Sequence, residues 1–230
     1  MSDRTSPESD RRSAQSSPRA GLFVVLEGGE GAGKTTQLSR LDQWLQQSGR
    51  SVVRTREPGG TQIGERIRTL VLDHGQGEVD PRTEALLMAA ARAAHVEQRI
   101  RPALAQGAVV LCDRYIDSSL AYQGAGRGLG VEPVAQVNHW ATDGLSPDLT
   151  VVLDVIPELS RQRRSDRDGG SAGDRIESAE DSFHATLRQA FLDRAAQAPE
   201  RYLVLDASAP VEQIQQLIRD RVAAELGDHQ

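Results

Sequence analysis

Residues 22–36 read LFVVLEGGEGAGKTT. Phe23 to Leu26 are apolar and β-favouring, and they end abruptly at Gly28, Gly29, Glu30, Gly31, Ala32, Gly33, Lys34, Thr35 and Thr36. The run fits G-x-x-x-x-G-K-[ST], which predicts a buried strand, a glycine turn and a helix starting near Lys34. Each residue type has a physical reason to be there. Glycines let successive backbone N–H groups turn inward and approach phosphates closely. The helix start adds partial positive charge. Lys34 is placed to reach the β- and γ-phosphates of a bound ATP, and the Thr35 hydroxyl to bind Mg²⁺. Lys34 is also the single lysine among 27 Lys and Arg residues. A chain that avoids lysine elsewhere and keeps one here needs a compact ammonium, where a planar guanidinium does not fit.

Outward from this stretch the chain alternates strands and helices. Thr35 to Gln47 repeats Leu38, Leu41, Trp44 and Leu45 at helical spacing, and Gly49 stops it. Further strands are predicted at Ser51–Thr55, Ala108–Cys112, Leu149–Val155 and Tyr202–Leu205. Helices are predicted around Ile63–Val71, over Pro81–Gln106 with a possible kink at Pro102, in the stretch that follows Asp113-Arg114-Tyr115 up to Tyr122, and over Pro133–Ala141. Gly124 to Gly130 reads as a glycine-rich loop. Pro157–Arg164 reads as a helix that breaks into a polar segment, Ser165 to Asp174, before a helix over Ile176–Ala196. Val211–Leu226 is the closing helix. Strands separated by helices imply an α/β fold, a parallel sheet with helices on both faces. Ligands then bind at the carboxyl ends of the strands. The phosphate loop, Arg56-Glu57-Pro58-Gly59-Gly60-Thr61 and Asp113-Arg114-Tyr115 all fall there.

Composition bounds the rest. Residues 1–20 are polar, rich in Ser and Arg, and read as a disordered tail, with a transit peptide as the rival that their acids disfavour. Residues 21–230 read as a single domain. A net charge of −6 argues against a broad nucleic-acid-binding face. No apolar run approaches the ~18 residues that span a membrane. One cysteine, Cys112, excludes an internal disulfide and points to a reducing, cytoplasmic compartment. His95 and His139 read as surface or interface histidines, and Trp44 and Trp140 as packing residues. Leu86, Leu87 and Ala90 form an apolar face that is either core or interface.

The order GGEGAGKTT, TREPGGT, DRYIDSSLAYQGAGRG, PDLTVVLDV and DRIE resembles the bacterial thymidylate kinases, over residues 22 to about 226. The phosphate loop alone says only P-loop NTPase; the second and third segments carry the specificity. The resemblance implies a five-stranded parallel sheet with a mobile lid, transfer of the γ-phosphate of MgATP to dTMP, and a homodimer. It implies that Arg114 holds the acceptor phosphate and Glu30 accepts the deoxyribose hydroxyl. Asp113 either organises Mg²⁺ or pairs with an arginine. Glu57 and Pro58 shape the acceptor pocket, with Pro58 a candidate cis peptide. Arg92 reads the thymine edge, and Met88 stands where many relatives stack an aromatic ring. Ser118 and Ser119 bond base or phosphate, Tyr122 packs near the sugar, and Gln123 is a further polar contact. The lid is placed at about residues 165–175, with Arg167 the first choice for the arginine that closes over the reaction and Arg164 the next. Glu177, at its far end, is a candidate Mg²⁺ ligand. Two rivals remain open: a P-loop kinase with another acceptor, and a P-loop protein that binds nucleotide without a second substrate.

Overall fold

The structure is a computed structural model, and it describes residues 21–73, 75, 77–168 and 181–227. Its sheet has five strands: β1 (Leu22–Glu27), β2 (Val52–Arg56), β3 (Val109–Asp113), β4 (Leu149–Asp154) and β5 (Tyr202–Asp206). All neighbours pair in parallel, in the order β2-β3-β1-β4-β5. The phosphate-loop strand is therefore central. The chain fills one side of it and then crosses to the other, which opens a crevice at the carboxyl ends.

Every residue of β1 is buried, and its alternation divides the core. Leu22, Val24 and Leu26 face helix α1 (Lys34–Gln47) and helix α9 (Val211–Glu225), packing with Leu38, Leu41, Leu45, Ile214, Ile218 and Val222. Phe23 and Val25 face the opposite way, onto Val96, Ile100 and Ala103. Burying each such leucine stabilises the fold by about 1.5–3 kcal/mol. A third cluster joins α2 (Gln62–Leu72), α3 (Pro81–His95) and α8 (Asp181–Gln197) through Ile67, Val71, Met88, Ala91, Leu187 and Phe191. The remaining helices are α4 (Arg101–Ala105), α5 (Ile116–Ser119), α6 (Val131–Ala141) and α7 (Pro157–Asp168).

Five expectations are corrected. The long helix over 81–106 is interrupted by a wide turn, Val96–Ile100, in which the Arg101 N–H reaches back five residues to the Val96 carbonyl. Pro102 has no N–H to continue the ladder and its ring crowds the carbonyl of Gln98. The wide turn absorbs one extra residue, so that Pro102 enters in the first turn of α4, where no donor is required. Leu120–Gly126 is a second wide turn rather than the end of a helix followed by a glycine loop. Its glycines serve close approach: a Cβ on Gly126 would lie 2.5 Å from the Phe183 ring on α8. Helix α7 continues through Ser165 to Asp168, because the glycines begin only at Gly169. Finally, His95 is fully buried and Trp140 is 86% exposed. Trp44 does pack against the core, and His139 is exposed. Leu86 is 54% exposed on α3.

The tail at 1–20, Glu177, and the proposed lid from Gly169 onward lie outside the described residues, as do the side chains of Arg164 and Arg167.

Candidate active site

The phosphate loop runs from β1 into α1. Gly28, Gly31 and Gly33 all adopt positive φ. At Gly28 (φ 133°) a Cβ would sit 2.4 Å from the Leu153 carbonyl oxygen, so only glycine fits. Helix α1 starts at Lys34 with no side-chain cap and no acid in its first turn. Its N-terminal N–H groups are thus left for an anion. Lys34 is buried, and its Nζ donates to the carbonyls of Gly28 (3.1 Å) and Gly29 (3.0 Å). Burial, with the Arg114 charge added, lowers its pKa from the ordinary lysine value. A bound phosphate offers the third partner.

Arg114 follows β3 with φ 69°, a left-handed conformation uncommon outside glycine. Its backbone N–H donates to the Leu26 carbonyl, which ties this turn to β1. That geometry sends the guanidinium across the phosphate loop. Nη1 donates to the Gly28 carbonyl (3.0 Å) and to Ser118 Oγ (3.1 Å), and Nη2 to Glu30 Oε1 (2.5 Å). Glu30 beside a polyphosphate is electrostatically tolerable because this cation accompanies it. The guanidinium also lies 5.3 Å from the centroid of the Tyr122 ring. The Tyr122 hydroxyl is buried and, among the described residues, has no hydrogen-bond partner. An orphaned hydroxyl at a cavity wall is what a ligand would satisfy.

Behind these residues lies Glu27, which the sequence reading passed over. It is fully buried at the end of β1 and accepts from the Tyr115 N–H (2.8 Å), the Ser118 N–H (3.1 Å) and Ser118 Oγ (2.7 Å). Burial first, and then the nearby Asp117 carboxylate, push its pKa up to about 7. The folded state therefore holds this proton more tightly than the unfolded chain. The associated stability is complete below the ordinary carboxylate range and is lost as pH rises to about 7. We expect wild type to lose about 3 kcal/mol relative to Glu27→Gln between pH 4.5 and 7, and no more above that. Denaturant unfolding of both proteins across this range measures it; parallel curves would contradict the assignment.

The far side of the cleft is built on buried polar contacts. Arg92 is 3% exposed, and its Nε donates to Glu57 Oε2 at 2.6 Å. Nη1 donates to Ser119 Oγ (3.0 Å) and to Asn138 Oδ1, and Nη2 to the Tyr115 carbonyl (3.0 Å). Most of its donors are thus committed within the protein, and the guanidinium is held rigidly. His95 completes this network: Nδ1 contacts Glu57 Oε1 (2.8 Å) and Nε2 contacts Thr55 Oγ1 (2.6 Å). The Glu57–Pro58 bond is cis. Gln123 donates from Nε2 to Glu84 Oε1 at 2.9 Å, and both residues are buried.

One cavity of about 730 Å³ joins the two halves. Phosphate-loop residues Glu30 to Thr36 line one part, with Asp113 and Arg114 beside them. Glu57, Pro58, Met88, Arg92, Ser118, Ser119, Tyr122 and Gln123 line the other. Every expected site residue within the described side chains reaches this wall except Gly28 and Gly29, which act beneath the loop through their carbonyls. The structure adds Arg68 and Arg163 to the cavity wall. Arg68 Nη1 donates to the Pro58 carbonyl (3.0 Å). Arg163 is pinned across the phosphate loop, donating to the carbonyls of Gly31 (3.2 Å) and Ala207 (2.9 Å). A cation in the helix below the basic cluster was visible in the sequence, but not which carbonyls it would meet.

Comparison with known proteins agrees with this geometry. A family model described as thymidylate kinase matches residues 26–218. The chain is 53% identical over 207 residues to a thymidylate kinase of Leifsonia xyli subsp. xyli, covering 89% of this chain and 95% of that one. It is 52% identical over 206 residues to a thymidylate kinase of Cutibacterium acnes, covering 90% and 98%. It is 52% identical over 195 residues to a thymidylate kinase of Deinococcus radiodurans, covering 85% and 93%.

Proposed function

The chain belongs to the thymidylate kinase family, and from that premise we propose the reaction, the residues that perform it and the assembly in which they work. It is an ATP-dependent kinase that transfers the γ-phosphate of ATP to dTMP, giving dTDP and ADP, a step in dTTP synthesis. The observation that carries this reading is the two-part cavity, with a phosphate loop on one side and a buried polar pocket on the other, meeting at Arg114.

Phosphoryl transfer requires two polyanions to be brought together, and the protein's work is positioning and charge neutralisation. The phosphate loop and Lys34 hold the donor. Arg114 holds the acceptor phosphate, with Glu30 orienting the guanidinium and accepting the deoxyribose hydroxyl. Met88 packs on the base, and its thioether is polarisable enough to do so. Arg92, fixed by Glu57, Ser119 and Asn138, reads the base edge together with Gln123. Tyr122 closes the sugar side. The acceptor phosphate oxygen is largely anionic at neutral pH, so no general base is required.

Mg²⁺ takes few protein ligands and relies on phosphate oxygens. Thr35 and Asp113 both line the cavity and supply oxygen donors of that kind. Among the described residues no cluster of three or more His, Cys, Asp or Glu is placed to hold a metal by itself. The set fits a nucleotide-borne Mg²⁺, held by Thr35 and Asp113, with Glu177 a further ligand on our reading. The ion supplies charge neutralisation across the phosphates. We also place residues 21–230 in one kinase domain, with a lid about 165–175 whose Arg167, or next Arg164, closes over the transferring group. The working form is a cytoplasmic homodimer; no helix among the described residues is long and apolar enough to cross a membrane.

A coupled ADP-release assay with MgATP and dTMP, dUMP, UMP, dCMP, AMP or GMP tests the proposal. We expect rapid turnover with dTMP and little with UMP. A clear preference for another acceptor would leave the fold standing and overturn the base-reading roles of Met88 and Arg92.

A further inference from the structure

We propose that Glu84 is a specificity-determining residue: it fixes the amide of Gln123 so that the acceptor pocket takes a pyrimidine with an N3–H and rejects one with an N3 lone pair. This deepens the dTMP reading and rests on it. Glu84 lies in the first turn of α3 and is 1% exposed; Gln123 lies in the wide turn after α5 and is 2% exposed. They meet at 2.9 Å through Gln123 Nε2. The other carboxylate oxygen has Arg127 Nη2 at 3.4 Å, so the acid has a cationic partner across the turn.

A carboxylate only accepts hydrogen bonds, whereas a glutamine amide has one accepting and one donating end. Free to rotate, Gln123 would present either end to a ligand. Against Glu84 only one orientation is satisfied: Nε2 faces the carboxylate and Oε1 is left for the cavity that Gln123 lines. The alternative sets carbonyl against carboxylate in a buried site: the Gln123 oxygen gains no donor from Glu84, and Glu84 Oε1 exchanges its 2.9 Å amide contact for a repulsion while Arg127 Nε stays at 3.5 Å. An acceptor facing the base pairs with the N3–H of thymine or uracil. Cytosine presents a lone pair at N3, and two acceptors then oppose each other. Glu84 does not touch the substrate in this scheme. It is a positioning residue acting through Gln123.

The test is steady-state kinetics of wild type and Glu84→Gln with dTMP and dCMP. The amide introduced at position 84 can donate or accept, so Gln123 is no longer held to one orientation. We expect the ratio of kcat/KM for dTMP over dCMP to fall at least about tenfold. The change should come through a raised KM for dTMP with kcat little altered, since the base is remote from the reacting phosphate. In Glu84→Gln/Gln123→Glu the carboxylate is transferred to position 123, where it accepts from the amide now at position 84 and still offers the base only an acceptor. That variant should regain the wild-type ratio within a few-fold. It also stands in for the single variant should that one fail to fold. An unchanged ratio in Glu84→Gln, with both substrates weakened equally, would reduce Glu84 to a structural acid and overturn the proposal. So would a double variant that remains permissive. Wild-type turnover of dTMP in the same assay separates this failure from failure of the dTMP reading itself.

Discussion

Lys34→Met lowers kcat for phosphoryl transfer to dTMP by on the order of 10³-fold, and Lys34→Arg does not restore it. The amine is buried between two carbonyls, those of Gly28 and Gly29, at 3.0–3.1 Å. Its positive charge sits in a water-poor loop, where it acts on the phosphates with little screening. Methionine keeps the length of the stem and removes the charge. Arginine keeps the charge, but its planar group is too broad for the space between the carbonyls and would push the loop outward. The comparison isolates shape from charge. Single-turnover rates with saturating MgATP give the answer, and a Lys34→Arg enzyme within a few-fold of wild type would show that charge alone suffices.

Arg114→Ala is the second large effect. It removes the cation that bridges the phosphate loop, Ser118 and Glu30, and leaves Glu30 facing incoming phosphates without it. We expect kcat/KM for dTMP to fall by on the order of 10³-fold. The repulsion from Glu30 predicts a particular non-additivity. Glu30→Gln placed on top of Arg114→Ala should recover part of the loss, although Glu30→Gln alone is deleterious. A double-mutant cycle measures this coupling. Strict additivity would mean that the 2.5 Å pairing of these residues has no part in acceptor binding. Arg114→Lys should remain impaired, since an ammonium cannot satisfy the Gly28 carbonyl, Ser118 and Glu30 together while also holding phosphate.

What could be read from the sequence divides along a physical line. The phosphate loop, the turn at Glu57-Pro58 and Asp113-Arg114-Tyr115 were legible because backbone geometry there depends on a few adjacent residues. The five strands were legible as short runs of β-favouring residues, and the sheet follows from their alternation with helices. The wide turns at Val96–Ile100 and Leu120–Gly126 were not. One extra residue in a helix barely disturbs the hydrophobic period, and in the first case its cause, Pro102, lies outside the turn. His95 was read as a surface or interface residue, and Glu84 was passed over, for a related reason; Glu27, at the end of the apolar strand β1, was passed over as well. A lone His or Glu in an amphipathic run reads as solvated, and only the tertiary structure puts Glu57 beside His95 or Gln123 beside Glu84. Trp140 misled in the opposite sense. Large aromatics are usually covered, and this one stands on an outer face of α6.

The solitary lysine has a practical corollary. In this sequence a lysine-specific endoprotease has one peptide bond to cut, after Lys34, and an acylating reagent has one side-chain amine to label. Both targets lie inside the nucleotide loop, with the amine tucked against two carbonyls. Proteolytic nicking or covalent tagging of that side chain is therefore a direct readout of how often the loop opens, with no background from surface lysines. Titrating the protection by nucleotide turns the same reaction into an occupancy gauge that requires no engineered probe.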